Sequence, residues 1–242
     1  MERSTTGPAH TSEPVPASRT LPGGAARAAP PPVLAGLLPT PAGTPFTVAY
    51  AAVLAVTSLV AALAEPGWVH TLHQDSSTDV AHLLRSPVPV LLASALWIAG
   101  GLLSPYAAAF VLALTALERR IGGVRTACVF LAGHVLATLA TEIPVGLAVL
   151  AGRLPGTSLH RLDYGVSFGV AASVGALAGL LGPRLRWPLL FLAGGAVLDG
   201  LYDFEDPVTD WGHLVALAVG VAAWPLVRRW HRPAPPHGIG DR

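Results

Sequence analysis

The chain has 242 residues, 52% of them hydrophobic and only 12% charged, with a mean hydropathy of +0.56. Soluble domains carry about 25% charged residues, so a soluble globular class is excluded and the partner implied is the lipid bilayer. A net charge of +1 carries no nucleic-acid footprint, and the single cysteine, Cys128, excludes an intramolecular disulfide and a cysteine-based zinc site.

Residues 1–45 are rich in Pro, Ala, Thr, Ser and Gly with scattered charge, and read as a disordered cytoplasmic tail. No apolar core follows the first basic residues, as it would in a signal peptide. About 20 apolar residues cross a bilayer core as a helix, and the first such run is 46–64. A wet stretch follows at 65–85, with His70, His73, Asp75, Asp79 and His82. Residues 87–117 are apolar, long for one span and short for two. Gly100-Gly101 and Ser104-Pro105 divide them into a part-embedded element at 89–102 and a helix at 105–120. Non-helical backbone at that depth requires cover by protein or a water cavity.

A further helix is predicted at 124–141, with an interfacial piece at 145–151 beyond Glu142. At 164–181, Gly165, Gly169, Gly175 and Gly179 among alanines make a surface for close helix approach. Runs at 187–201 and 211–227 complete the set, with Trp187, Trp211 and Trp230 at predicted interfaces. The fold class expected is an all-α membrane protein of six spans with a part-embedded loop after the first. Its membrane domain occupies 46–228, and 229–242 forms a second cytoplasmic tail.

Orientation follows from the arginines. With the N-terminus inside, the cytoplasmic pieces hold twelve of the fifteen, leaving Arg85, Arg153 and Arg161 outside. Both termini are then cytoplasmic. The absence of lysine beside abundant Ala, Gly and Pro reads as the codon bias of a high-GC bacterium, which makes the membrane the inner, plasma membrane.

This topology makes a pair of two distant residues. The fourth and sixth spans both run from outside to inside. Ser167, in Gly165-Val166-Ser167-Phe168-Gly169, heads the fourth; His213, in Trp211-Gly212-His213, heads the sixth. Both lie one to two turns below the outer face. Serine needs an adjacent base to act as a nucleophile, and histidine has the pKa for that task at neutral pH. The glycines beside Ser167 leave room for a substrate backbone and for N–H donors to an oxyanion. The plain alternative is that Ser167 bonds back along its helix or joins helices.

This arrangement resembles the rhomboid intramembrane serine proteases. Glu118-Arg119-Arg120-Ile121-Gly122 is similar to that family's Glu-Arg-x-x-Gly, Gly165-Val166-Ser167 to its Gly-x-Ser-Gly, and Gly212-His213 with Gly220 to its Gly-His-x-x-Gly-x-x-x-Gly. The resemblance spans 46–228 and implies a rhomboid-like six-helix bundle. It also implies a Ser167–His213 dyad that cuts transmembrane protein substrates near the outer face without metal or cofactor. There are three departures: Phe168 follows the serine, Ala216 replaces a glycine, and Leu102-Leu103-Ser104-Pro105-Tyr106 stands where the family carries His-x-x-x-Asn. Replacement donors to the oxyanion are Tyr106, His134 and the backbone around Gly165 and Ser167. His134 lies half-way along its span, deeper than Ser167 by a turn or two, and is equally read as a structural histidine.

Two other functions fit the composition. One is a catalytically inactive rhomboid-like protein that binds membrane clients, which the departures favour. The other is a small transporter or channel using Asp199, Asp203 and His134. His70, His73 and His82 read as surface residues of the outer loop, and Asp163 as a helix-terminal charge four residues before Ser167.

Overall fold

The computed structural model describes residues 38–204 and 206–231. Most of the expected N-terminal tail (1–37) and the end of the expected C-terminal tail (232–242) lie outside the described residues. The helices are α1 (Pro45–Leu63), α2 (Pro66–Asp75), α3 (Val80–Arg85), α4 (Pro87–Ser94), α5 (Pro105–Ile121), α6 (Gly123–Leu150), α7 (Ser167–Ala178), α8 (Pro183–Asp203), α9 (Pro207–Ala222) and α10 (Trp224–His231). A 3-10 turn, Gly156–His160, precedes α7, and the described residues contain no strand. Six of these helices open on a proline in the first turn. There its fixed φ is pre-set for the helix and its missing N–H costs nothing.

Among the described residues, α1 and α6 are each long and apolar enough to cross a membrane, and α9 with α10, bent by 46°, make a third if they form one span. The expectation of six spans is therefore met in part. α7 has only 12 residues, about 18 Å of helix against a core of about 30 Å. α6 runs unbroken through Glu142 and Pro144 to Leu150, so the helix predicted at 124–141 and the piece predicted at 145–151 form one continuous element. The part-embedded element resolves into the eight-residue α4 and an irregular segment in which Gly100 and Gly101 hold positive φ.

α7 is the hub, packed against α5, α6, α8 and α9. Its small residues permit this. A Cβ on Gly220 of α9 would fall on the Ala172 carbonyl oxygen, and one on Gly133 of α6 on the Ala172 side chain. The C-terminal end of α7 is closed by donors from elsewhere. Trp224 Nε1 donates to Gly175 O (2.8 Å), Arg186 to Ala178 O (2.9 Å) and Leu181 O (2.7 Å), and Arg228 to Gly179 O (2.9 Å). These groups satisfy carbonyls that a helix end leaves without partners. Both guanidiniums also lie over the Trp224 ring, 5.2 and 5.0 Å from its centroid.

The Glu118 motif ties α5 to α1. The buried Glu118 carboxylate accepts from Phe46 N (2.9 Å), Thr47 N (2.8 Å) and Thr47 Oγ1 (2.6 Å), the orphan donors of the first turn of α1. Arg119 donates to Leu38 O (2.8 Å). Gly122, at φ +84°, turns the chain directly from α5 into α6. Higher in α1, Tyr50 donates to Ala95 O (2.6 Å) and Thr57 to Leu96 O (2.6 Å), which fixes the segment after α4.

Gly220→Val should force α7 and α9 apart and cost about 2–3 kcal/mol or more. The exposed Ala218→Val on the same helix should stay within about 0.5 kcal/mol. Thermal unfolding of both variants in detergent measures the difference.

Candidate active site

The segment before Ser167 is stitched down bond by bond. Thr78 N donates to Asp163 O (2.7 Å), and the Thr78 hydroxyl lies 3.1 Å from both Asp163 O and Asp163 Oδ2. Ser77 Oγ donates to Arg161 O (3.1 Å) and accepts from Asp163 N (3.0 Å). Gly165 N then donates to Ser94 O (2.9 Å) and Val166 N to Trp97 O (3.0 Å). Gly165 sits at φ +125°, a conformation open to glycine and strained for other residues. Asp163 is thus part of an extended, hydrogen-bonded loop. It does not share a helix face with Ser167, because α7 begins only at Ser167 itself. Tyr164 stacks on His73 of α2 (4.2 Å between centroids), and His82 pairs with Asp79 (2.8 Å).

His213 lies two turns into α9 and is buried. The Tyr106 ring of α5 stacks on its imidazole at 5.9 Å and 13°, and Phe168 meets it edge-on at 5.1 Å and 75°. A Cβ on Gly212 would enter the Phe168 ring. The bulky residue after Ser167 and the glycine before His213 are therefore complementary. Nδ1 of His213 stands 3.8 Å from Asp210 Oδ1, and Nε2 is buried without a hydrogen-bond partner.

Ser167 and His213 line the same two cavities. The first, about 90 Å³, is also lined by Tyr106, His134, Thr138, Asp163, Gly165 and Thr209. Its lining residues include three whose polar atoms are buried and unpartnered: His213 Nε2, His134 Nδ1 and Thr138 Oγ1. A polar space of this size accommodates water. The second cavity, about 210 Å³, reaches from Ser167 and His213 to α8, past Ala109, Ala171, Ala193 and Ala196. Leu102 lines neither, and is half exposed. Asp199 and Asp203 are exposed on α8 and also line neither.

His134 is closer to Ser167 than its place in the sequence indicates, since the two share a cavity. Its Nε2 is 3.1 Å from Leu91 O and 3.0 Å from Ser94 Oγ. A carbonyl only accepts, so this nitrogen carries the proton and the Nδ1 of a neutral ring is a lone pair.

Nothing in the motif spacing marks Arg161, yet it joins three elements above the site. Its Nη2 donates to Glu142 Oε1 of α6 (2.6 Å) and lies 3.5 Å from Asp163 Oδ2. Its Nη1 donates to Thr209 Oγ1 of α9 (2.9 Å) and approaches the Asp206 carboxylate (3.3 Å). Burial opposes the guanidinium charge, but the Asp163, Glu142 and Asp206 carboxylates more than offset it and hold its pKa above the usual value. Burial raises the Asp163 carboxyl, against the pull of Arg161 and Thr78. Asp206 in turn caps α9, accepting from Thr209 N (3.2 Å) and Thr209 Oγ1 (2.7 Å). Arg161 therefore couples the serine loop to the helix that carries His213. Arg161→Ala leaves buried carboxylates unpaired and should cost about 3–5 kcal/mol, read as a lower unfolding temperature in detergent. Adding Glu142→Gln should recover part of that loss.

Comparison with known proteins bears on this geometry. No curated protein and no solved structure gives a significant match. Residues 42–233, which take in α1 through α10, match the family model for rhomboid-like proteins. The chain is therefore a membrane protein that belongs to the rhomboid-like family.

Proposed function

We propose that the protein is an intramembrane serine endopeptidase that cuts transmembrane protein substrates near the outer face of the plasma membrane. Ser167 Oγ attacks the scissile carbonyl, His213 Nε2 takes its proton and later returns it to the leaving amine, and water completes hydrolysis of the acyl-enzyme. The observation that carries this reading is the buried, unpartnered Nε2 of His213, in a residue that shares two cavities with Ser167. No Ser167–His213 hydrogen bond is made among the described residues, and such contacts commonly tighten only when substrate binds.

Where the family carries His-x-x-x-Asn, this chain relies on other donors. The N–H groups of Ser167 and Phe168 open α7 and have no backbone acceptor. A helix N-terminus offers both free donors and a favourable dipole to a developing oxyanion. Tyr106, stacked on His213 and lining the same cavity, is a further candidate donor. His134 presents a lone pair on its free nitrogen and serves as a structural or water-binding group. Gly165 contributes conformation, since its own N–H is engaged by Ser94 O.

The alanine-lined cavity between α5 and α8 fits an unwound segment with small side chains, arriving from the lipid. The smaller polar cavity, beneath Thr78 and Ala99, is suited to hold the hydrolytic water. Six spans with both termini cytoplasmic complete the reading. The second reading, an inactive relative that binds membrane clients, is favoured by Phe168 and by the absence of His-x-x-x-Asn. Transport has less support, because Asp199 and Asp203 stand on α8 away from the cavity that His134 lines.

In proteoliposomes, wild-type protein should cleave a single-span model substrate, and Ser167→Ala and His213→Ala should each lower the rate by at least about 10³-fold without loss of fold. Equal cleavage by wild type and Ser167→Ala contradicts the assignment. No cleavage by wild type, with the substrate still co-purifying, favours the client-binding reading.

A further inference from the structure

Asp210 precedes His213 by three residues on α9, one turn away on nearly the same face. Its Oδ1 stands 3.8 Å from His213 Nδ1, and its carboxylate accepts no hydrogen bond from another described residue. Space for that carboxylate comes from α8, where a Cβ on Gly200 would stand 2.7 Å from Asp210 Oδ1. On the other side of the ring, Nε2 is buried and unpartnered.

A neutral imidazole carries one N–H and one lone pair. A carboxylate beside Nδ1 favours the proton there and leaves the lone pair on Nε2, the nitrogen required to accept the serine proton. The same carboxylate stabilises the imidazolium formed by that transfer. The 3.8 Å separation exceeds a hydrogen bond, and a small rotation of either side chain closes it. Other titratable or charged groups near the ring are Tyr106 from α5, His134 from α6, Asp163 from the loop before α7 and Asp206, the N-cap of α9, while Asp203 of α8 acts on Asp210 itself. Only Asp210 comes within 4 Å of a ring nitrogen of His213 as an ion-pair partner among the described residues.

We propose that Asp210 is a positioning residue that sets the tautomer of His213, making the site a Ser167–His213–Asp210 triad. This rests on the reading of Ser167 and His213 as nucleophile and base.

The test is the rate at which a fluorophosphonate probe labels Ser167 in bilayers, measured from about pH 3 to 9 so that the full acid limb is covered. Labelling forms the Oγ–phosphorus bond, expels fluoride and passes the hydroxyl proton to His213. Asp210→Asn should lower the plateau rate at least about tenfold and move the acid limb of the profile to lower pH, because the imidazolium has lost a neighbouring carboxylate. Gly200→Ala, which displaces the carboxylate and keeps it, should shift both in the same direction. Asp210→Glu should retain most of the rate. An Asp210→Asn profile that overlays wild type overturns the proposal. So does a lowered rate with the acid limb unmoved, which marks structural damage alone. Unlabelled wild type overturns the nucleophile–base reading and this proposal with it, whereas labelled wild type with an unaffected Asp210→Asn removes Asp210 and leaves the pair standing.

Discussion

The short length of α7 is the constraint on which the rest of the structure depends. A helix of 12 residues cannot reach both faces of a bilayer, so both of its ends must be satisfied inside the protein. In hydrocarbon an unpaired backbone group costs several kcal/mol. At its C-terminal end, Arg186, Arg228 and Trp224 supply donors to the carbonyls of the last turn. At its N-terminal end the first N–H groups stay unclaimed beside a polar cavity. The same shortness that requires arginine caps at one end leaves a recessed polar site at the other.

That recess accounts for the polar network around it. Ser77 and Thr78 are buried, and they hold the loop that leads into Ser167, while the buried Asp79 caps α3. Arg161 binds Glu142 of α6 and Thr209 of α9, setting the height of the helix that carries His213. Buried ion pairs of this kind add little net stability but are costly to break. Their contribution here is geometric, since the serine and the histidine belong to elements 46 residues apart in sequence and share no hydrogen bond of their own.

Much of this was legible in the sequence, and what was not has a physical reason. The pairing of Ser167 with His213 followed from arginine asymmetry and span direction, and the structure lines one cavity with both. Gly169, Gly175 and Gly179 read as close-approach positions, and each has a side chain or a carbonyl where a Cβ would go. The true length of α7 was hidden because 164–181 is apolar throughout and its caps come from α8 and α10. Glu142 sits inside α6, where Arg161, nineteen residues on, pairs with its carboxylate, a partner no local pattern shows. Asp210 and Arg161 carried no motif; only the folded chain brings their partners to them.

A structure of the protein after reaction with a fluorophosphonate measures the central claim most directly, namely that a recessed serine and one imidazole act on the same atom. The account predicts phosphorus bonded to Ser167 Oγ in the cavity walled by Tyr106 and Phe168, with His213 Nε2 within about 2.6–3.2 Å of Oγ or a phosphonyl oxygen. Absence of the adduct, or an adduct with His213 Nε2 turned away toward α8, contradicts it.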